Sequence, residues 1–209
     1  MLQHQLKTKT INKMKMYSTI LSSAMAFLVL VAFTPISEGD GYYAINNAES
    51  TVKWVAQKVT GSSHEGTVNI KEGGLQVTDG KITGGKFTID MTTIACTDLS
   101  GGMAKKLVGH LNSEDFFSVE KHATANLAIV KVDGDNITAN LTIKGITSEV
   151  IFPATTVTTA DGVLTATAEI KVDRTKFDVR YGSDSFFDNL GDKAIDNIIT
   201  FNVSLKGKG

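Results

Sequence analysis

Residues 136–143, NITANLTI, alternate strictly between polar and apolar side chains. A repeat of two residues is typical of a β-strand with one solvated face and one buried face. The same alternation returns in residues 163–172, VLTATAEIKV, and in residues 200–206, TFNVSLK. Earlier segments, such as residues 124–132, follow it less regularly. The pattern predicts an all-β domain.

Short turn signals separate these segments. Asp79-Gly80, Asp133-Gly134-Asp135 and Asp161-Gly162 are typical of β-hairpins, and Glu72-Gly73-Gly74 is interpreted as a further turn. Connections this short leave no room for the crossover helices that parallel strands need. The sheet is therefore predicted to be an antiparallel meander.

One segment has the spacing of a helix instead. From about residue 98 to residue 112, apolar side chains recur on one helical face, namely Met103, Leu107, Val108 and Leu111. About eight strands and a single helix favour a closed up-and-down β-barrel with the helix near its mouth, because closure removes exposed strand edges. A two-sheet sandwich is the alternative architecture.

The N-terminal segment resembles a secretory leader. Lys7, Lys9, Lys13 and Lys15 precede an apolar run over residues 20–33. That run has about 14 residues, fewer than the roughly 20 that span a bilayer as a helix. We predict a signal peptide over residues 1–39, with an approximate cleavage site, and a single domain over residues 40–209. The location is then periplasmic or secreted; an uncleaved anchor is the alternative.

Charge and cysteine content exclude several classes. Residues 40–209 contain 17 lysines and arginines and 21 acidic residues, which gives a formal net charge of −4. A mildly acidic domain lacks the basic face that nucleic acid demands, so no nucleic-acid partner is expected. Cys96 is the single cysteine and leaves no internal disulfide.

Motifs for catalysis are lacking. His64, His110 and His122 do not have metal-ligand spacing, and no G-x-S-x-G or phosphate-loop motif occurs. We expect no catalytic residue, no metal and no cofactor. A lipid-modifying enzyme that uses His110 with Asp115 is kept as an alternative.

The barrel interior has two interpretations. An eight-strand barrel is just wide enough to be filled by its own side chains or to hold one slender ligand. Small residues such as Ala166 and Ala168 lie on predicted inner faces, whereas aromatic residues such as Phe116 and Phe186 gather in loop-like segments. This distribution suits an apolar channel with an aromatic mouth. Alanines that abut bulky neighbours in a dry core would give the same composition.

Four stretches resemble the YceI-like family of lipid-binding, polyisoprenoid-binding proteins. They are residues 51–66 (TVKWVAQKVTGSSHEG), 85–93 (GKFTIDMTT), 107–119 (LVGHLNSEDFFSV) and 141–153 (LTIKGITSEVIFP). Two runs are the most specific part of the resemblance. The first extends from His110-Leu111 to Asp115-Phe116-Phe117, and the second, further along the chain, is Lys144-Gly145-Ile146-Thr147.

The resemblance implies an extended lipocalin-like barrel, exported to the periplasm and without known catalytic residues. It also implies a ligand: a long-chain isoprenoid, quinone-like, or a similar fatty amphiphile, which the protein sequesters or transports. The resemblance also allows further partners. These are a second copy of the chain in a homodimer, and a membrane protein that donates or accepts the lipid. A periplasmic stress or interaction protein with a filled barrel is the alternative function. The side chains predicted to form the lumen and its mouth are Val52, Trp54, Phe87, Ile89, Met91, Leu107, Leu111, Phe116, Ala166, Ala168, Ile170 and Phe186, with the helix and the Phe186-Phe187 loop as a lid.

Overall fold

The computed structural model describes residues 40–158 and 161–209. The predicted signal peptide, residues 1–39, lies outside the described residues. In the described part, no helix is both long enough and apolar enough to cross a membrane.

The secondary structure is dominated by antiparallel strands. In chain order the elements are β1 Gly41–Ile45, β2 Thr51–Gln57, β3 Ser63–Thr78, β4 Lys81–Cys96, α1 Gly101–Asn112, β5 Thr124–Asp133, β6 Asn136–Ile143, β7 Ile146–Thr158, β8 Val163–Asp173 and β9 Ile198–Lys208. Two 3₁₀ turns, Arg174–Phe177 and Gly191–Lys193, lie between β8 and β9.

The strands close into a barrel. Each strand from β2 to β9 pairs with the next one along the chain, and β2 also pairs with β9, which completes the ring. Both β1 and β2 lie between β3 and β9, so these two short strands share one of eight positions. The predicted antiparallel up-and-down barrel with one helix is confirmed.

The two ends of the barrel differ. One end, called the helix end, carries α1, the turn at Lys144-Gly145 and the segment from Asp178 to Asn197. The other, called the turn end, carries the Asp79-Gly80 and Gly134 hairpin turns. The strands therefore present a helix-capped opening on one side and tight hairpins on the other.

The turn predicted at Glu72-Gly73-Gly74 is wrong, because β3 runs without interruption from Ser63 to Thr78. A Cβ on Gly73 would lie 2.6 Å from Phe87 Cδ1, and a Cβ on Gly74 would lie 2.3 Å from Tyr42 Cζ. These glycines leave space for aromatic rings from the neighbouring strands. They are required by packing, and the chain does not turn at them.

The helix begins later than predicted, at Gly101 instead of residue 98. The Asp98 carboxylate bonds to β3: Oδ1 accepts from the Glu65 N–H at 3.1 Å, and Oδ2 is 2.7 Å from His64 Nδ1. These bonds hold Asp98 against the sheet, and Ser100 is the extended N-cap residue.

Candidate ligand-binding lumen

The barrel encloses an apolar cavity of about 160 Å³. Every described residue that lines it is apolar except Thr167. For comparison, an apolar cavity of about 150 Å³ lined by similar side chains stays dry and binds benzene. The lumen is therefore large enough to hold a small apolar molecule.

The strand alternation builds this wall. Val52, Trp54 and Ala56 project inward from β2, while their neighbours Thr51 and Lys53 are exposed. On β8 the inward series is Ala166, Ala168, Ile170 and Val172. In β2 and β8 the apolar side chains of the alternation thus line the lumen, and most of the side chains between them are polar.

Several short side chains lie next to one another in the lumen wall. Ala168 pairs with Ala154 on β7 and with Val203 on β9, so one side is lined by short side chains. Trp54 and Phe201 are register partners and contribute large rings. Phe201 lies on β9, the strand that also carries Val203, so large rings and short side chains are neighbours in the wall.

Trp54 depends on a glycine in the facing strand. Gly66 is its β3 partner, and a Cβ there would lie 2.5 Å from Trp54 Cζ2 and 1.8 Å from the Ala95 carbonyl oxygen. The indole therefore lies directly against the β3 backbone. It is only 6 % exposed.

Aromatic side chains close the helix end. Phe116 and Phe117 are buried, line the lumen and meet edge to face with ring centroids 4.9 Å apart. The His110 ring lies 5.7 Å from the Phe116 ring and 4.3 Å from the Tyr181 ring. These contacts join α1 to the segment after β8 across the opening.

A buried arginine organises this closure. Arg174 is 1 % exposed, and its guanidinium carbon lies 5.8 Å from the centre of the Phe116 ring. Its nitrogens donate to four main-chain oxygens at 2.8–3.0 Å, those of Val179, Tyr181, Ile195 and Asp196. One side chain thus holds two parts of the loop between β8 and β9, the first at Val179 and Tyr181 and the second at Ile195 and Asp196. All four hydrogen bonds are charge-assisted.

Three buried polar atoms have no hydrogen-bond partner among the described residues: Trp54 Nε1, His110 Nε2 and Asn112 Oδ1. Trp54 lines the lumen, and Leu111, which lies between the other two on α1, lines it as well. Unpaired buried polar groups are rare in native proteins. His110 and Asn112 are not among the residues that line the lumen.

The Cys96 region lacks the features of a reactive centre. The Cys96 thiol donates to Asp98 Oδ1 at 3.2 Å. Burial raises the pKa of Cys96, and the hydrogen bond to Asp98 raises it further, which disfavours the thiolate. Among the described residues, no group of three or more His, Cys, Asp or Glu is arranged to hold a metal.

Ten of the twelve residues predicted for the lumen and its mouth line the cavity, and the other two lie elsewhere. Leu107 packs against the hydrophobic core without reaching the lumen, and Phe186 is 43 % exposed. Arg180 draws Phe186 outward, with its guanidinium carbon 4.9 Å from the ring centre. That the ten residues contact a ligand stays a prediction.

Sequence reasoning missed other parts of the wall. The strands β6, β7 and β9 supply Ile137, Leu141, Phe152, Phe201 and Leu205, among others. On β6 and β9 the alternation was visible and would have identified them. Hydrophobic periodicity gives no indication that Arg174 is buried, because a lone arginine after a strand is usually a surface residue.

A closed antiparallel barrel around an apolar lumen, capped by one helix, places the protein in the lipocalin-like class. The YceI-like domain model matches residues 43–206, and the chain belongs to the YceI-like family. The family resemblance seen in the sequence is confirmed. No curated protein matches the chain.

Solved structures share the fold. Burkholderia cenocepacia BcnA is 20 % identical, covers 78 % of this chain and 98 % of its own, and has a TM-score of 0.61. A polyisoprenoid binding domain from Saccharophagus degradans, described as implicated in plant cell wall breakdown, is 13 % identical, with 80 % and 98 % covered and a TM-score of 0.57. A mutant of the Campylobacter jejuni YCEI protein is 17 % identical, with 68 % and 84 % covered and a TM-score of 0.50.

Proposed function

We propose that this protein is an exported, non-catalytic lipid-binding protein that holds the tail of an isoprenoid, quinone-like or similar amphiphile in its lumen. The observation that carries the proposal is the cavity, whose described lining residues are all apolar except for Thr167. The family assignment and the polyisoprenoid binding domain with the same fold support the choice of an isoprenoid over other chains.

Solvation provides the driving force. Each buried CH₂ gains about 0.8 kcal/mol, so one five-carbon isoprene unit gains about 4 kcal/mol. Association costs about 4–15 kcal/mol before any net affinity appears. Several buried units are therefore needed, and a long chain must displace lining side chains or extend beyond the 160 Å³ that the lumen offers.

The alternatives have less support. A barrel filled by its own side chains would leave no cavity of this size. For the enzyme alternative, His110 packs against the rings of Phe116 and Tyr181, and no hydrogen bond joins it to Asp115 in the described part of the chain. We therefore propose binding without turnover.

The test is to purify the protein from its native host, extract it with organic solvent and analyse the extract by mass spectrometry. We expect an isoprenoid in near-stoichiometric amount. If no lipid is recovered and a fluorescent prenyl probe is not taken up by the purified protein, the proposal is wrong.

Export is tested separately, by cell fractionation and N-terminal sequencing of the isolated protein. We expect the protein in the periplasm or medium, with an N-terminus between Ser37 and Gly41. A full-length chain that starts at Met1 in the cytoplasmic fraction would contradict export and leave lipid binding unaffected.

A further inference from the structure

The turn end of the barrel is covered by the tip of the β3–β4 hairpin, residues 78–82, which is called the hairpin tip below. Thr156 Oγ1 on β7 donates to the Gly80 carbonyl oxygen at 3.2 Å. In the sheet, β5 and β6 lie between β4 and β7. The hairpin tip therefore reaches β7 by bending over the end of the barrel, and Ile82 on this tip lines the lumen.

Strand β4 is not paired with β5 at the turn end. The β4–β5 ladder extends from the Asp90–Thr124 pair only to the Lys86–Ala128 pair. Residues 81–85 of β4 pair with β3 and have no register partner on β5. The wall between β4 and β5 therefore lacks a ladder in the half of the barrel that carries the hairpin tip.

The base of the hairpin tip is irregular as well. Gln76 pairs with Gly84 but Val77 pairs with Ile82, which leaves Thr83 as an extra residue on β4. An extra residue of this kind interrupts the ladder and bends the strand. The hairpin tip is thus joined to the sheet through an interrupted ladder on one side and no ladder on the other.

A depression of about 250 Å³ lies beside the hairpin tip and is open to solvent. Ile82, Ile137 and Ala154 line both this depression and the lumen, so the two volumes share a wall. The other residues of the depression are polar residues and glycines, namely Gly80, Lys81, Gly134, Asp135, Thr155 and Thr156. A polar group in the depression keeps its contact with water, whereas burial in the lumen would desolvate it.

The two ends of the barrel also differ in what holds them closed. At the helix end, Arg174 donates four charge-assisted hydrogen bonds to the main chain. Two exposed side-chain hydrogen bonds connect the hairpin tip to other elements of the described chain. They are the bond from Thr156 and the one that the Asp79 N–H donates to Asp40 Oδ1 at 2.6 Å. Opening the turn end therefore breaks fewer and more exposed bonds.

We propose that the oxygen-containing head group of the bound amphiphile lies in the depression at the turn end, in contact with water. The apolar chain passes between Ile82 and Ile137 into the lumen, and the hairpin tip moves aside to admit it. The helix end stays closed. This inference rests on the proposed function and extends it by giving the ligand an orientation and a point of entry.

The experiment locates the head group with a spin label. A farnesyl chain with a nitroxide at its head group is added to ¹⁵N-labelled protein, and ¹H–¹⁵N spectra are recorded before and after reduction of the nitroxide. We expect the oxidised probe to remove the amide signals of Gly80, Gly134 and Thr155 at the turn end. The signals of Gly102 and Gly109 on α1 should remain. Loss of the α1 signals with retention of those at the turn end would overturn the proposal.

The same nitroxide without a prenyl chain is the control for contact with the exposed surface. It should leave all of these signals in place, because it has no chain to enter the lumen. Equal loss of the turn-end signals with the chainless nitroxide would overturn the proposal, since the label would then bind at the surface by itself.

The point of entry is tested by the kinetics of two matched variants. Ile82 and Ile94 both line the lumen from β4, Ile82 at the turn end and Ile94 near α1. Ile82→Ala should raise the association rate of a fluorescent prenyl probe about fivefold, because it removes a side chain that the ligand must displace. Ile94→Ala should raise the rate by a smaller factor. An equal or larger increase in Ile94→Ala would overturn entry at the turn end.

Failure of this inference is distinguishable from failure of the proposed function. A farnesyl probe that binds with its nitroxide at the helix end contradicts the orientation and still supports lipid binding. If neither the labelled probe nor unlabelled farnesol binds the parent protein, the proposed function fails and the inference fails with it.

Discussion

Trp54 and Gly66 face each other across the β2–β3 ladder, and the indole occupies the space that a Cβ on Gly66 would need. The lumen wall and the β3 backbone are thus in direct contact at this point. A methyl group at position 66 must displace both the Ala95 carbonyl, which would lie 1.8 Å away, and the indole, whose Cζ2 would lie 2.5 Å away.

Gly66→Ala should therefore lower the free energy of unfolding by about 1–3 kcal/mol, the range for overpacking a well-filled site. Urea denaturation, followed by the fluorescence of the single tryptophan, measures the change. Gly84→Ala is the control, since its Cβ would meet only Gln76 Cβ at 3.7 Å. Equal effects of the two substitutions would contradict the assigned contact.

Ala168→Trp should fill the lumen and abolish uptake of a prenyl probe. Ala168 lines the cavity on the side formed by short side chains, so an indole there takes the volume that the ligand needs. Glu169→Trp adds the same side chain on the exposed face of β8 and should leave uptake intact. Far-ultraviolet circular dichroism checks that both variants keep the sheet. Unchanged uptake in Ala168→Trp would place the ligand elsewhere.

Arg174→Met should destabilise the protein by about 3 kcal/mol or more. The substitution leaves four main-chain oxygens without their donor, and a buried unpaired polar group costs about 1–3 kcal/mol. Arg180→Met, in the same segment but exposed, should change the stability by less than about 0.5 kcal/mol. Chemical denaturation of both variants decides whether the guanidinium holds the closure.

The acid stability of the fold should depend on Asp98. Burial raises the pKa of this carboxyl, but hydrogen bonds from His64, the Glu65 N–H and Cys96 outweigh burial and hold the pKa at about 2, below the usual 3.8. Because the folded-state pKa is the lower one, ionised Asp98 stabilises the fold above about pH 4. That contribution is lost as the pH falls from about 4 to about 2.

Asp98→Asn should flatten the decline in the free energy of unfolding between about pH 4 and pH 2. Urea titrations at several pH values across this window provide the measurement. Asp135→Asn, at an exposed hairpin turn, serves as the comparison. A parent-like decline in Asp98→Asn would show that other carboxyls control acid unfolding.

The affinity for prenols should rise with chain length and then level off. Each isoprene unit that enters the lumen gains about 4 kcal/mol at most, whereas a unit that remains in water gains nothing. Calorimetric titration of prenols of increasing length locates the break. A constant gain up to the longest chain would show that the lumen widens well beyond 160 Å³.

Much of the fold was predictable because its strands have one wet and one dry face. Residues 136–143 and 163–172 show this in the sequence, and the inward series on β8 follows it without a shift. The rule fails in β4. Strict alternation would put Phe87 on the opposite face from Ile82 and Ile94, yet all three line the lumen. Irregularities in the β3–β4 register reset the alternation, and a bulge cannot be located from periodicity alone.

The closure of the helix end was the least predictable part. Arg174 acts through main-chain oxygens of Val179, Tyr181 and Ile195, and such bonds do not depend on the identity of the side chains that follow it. Phe186 was assigned to the mouth on its apolar character, but it lies on the outer surface, 43 % exposed and 4.9 Å from the Arg180 guanidinium carbon. Tertiary contacts of this kind leave no periodic pattern in the sequence.

The single position that β1 and β2 share between β3 and β9 has a consequence for how the molecule is made. The Lys206 N–H donates to Ser50 Oγ across 156 residues of chain, so the two ends of the domain meet where the ring closes. Contacts of such long sequence separation are expected to form late and to slow folding. No lumen exists until the last strand has been synthesised and paired, and any lipid must therefore be acquired after synthesis, by a barrel that is already closed or closing.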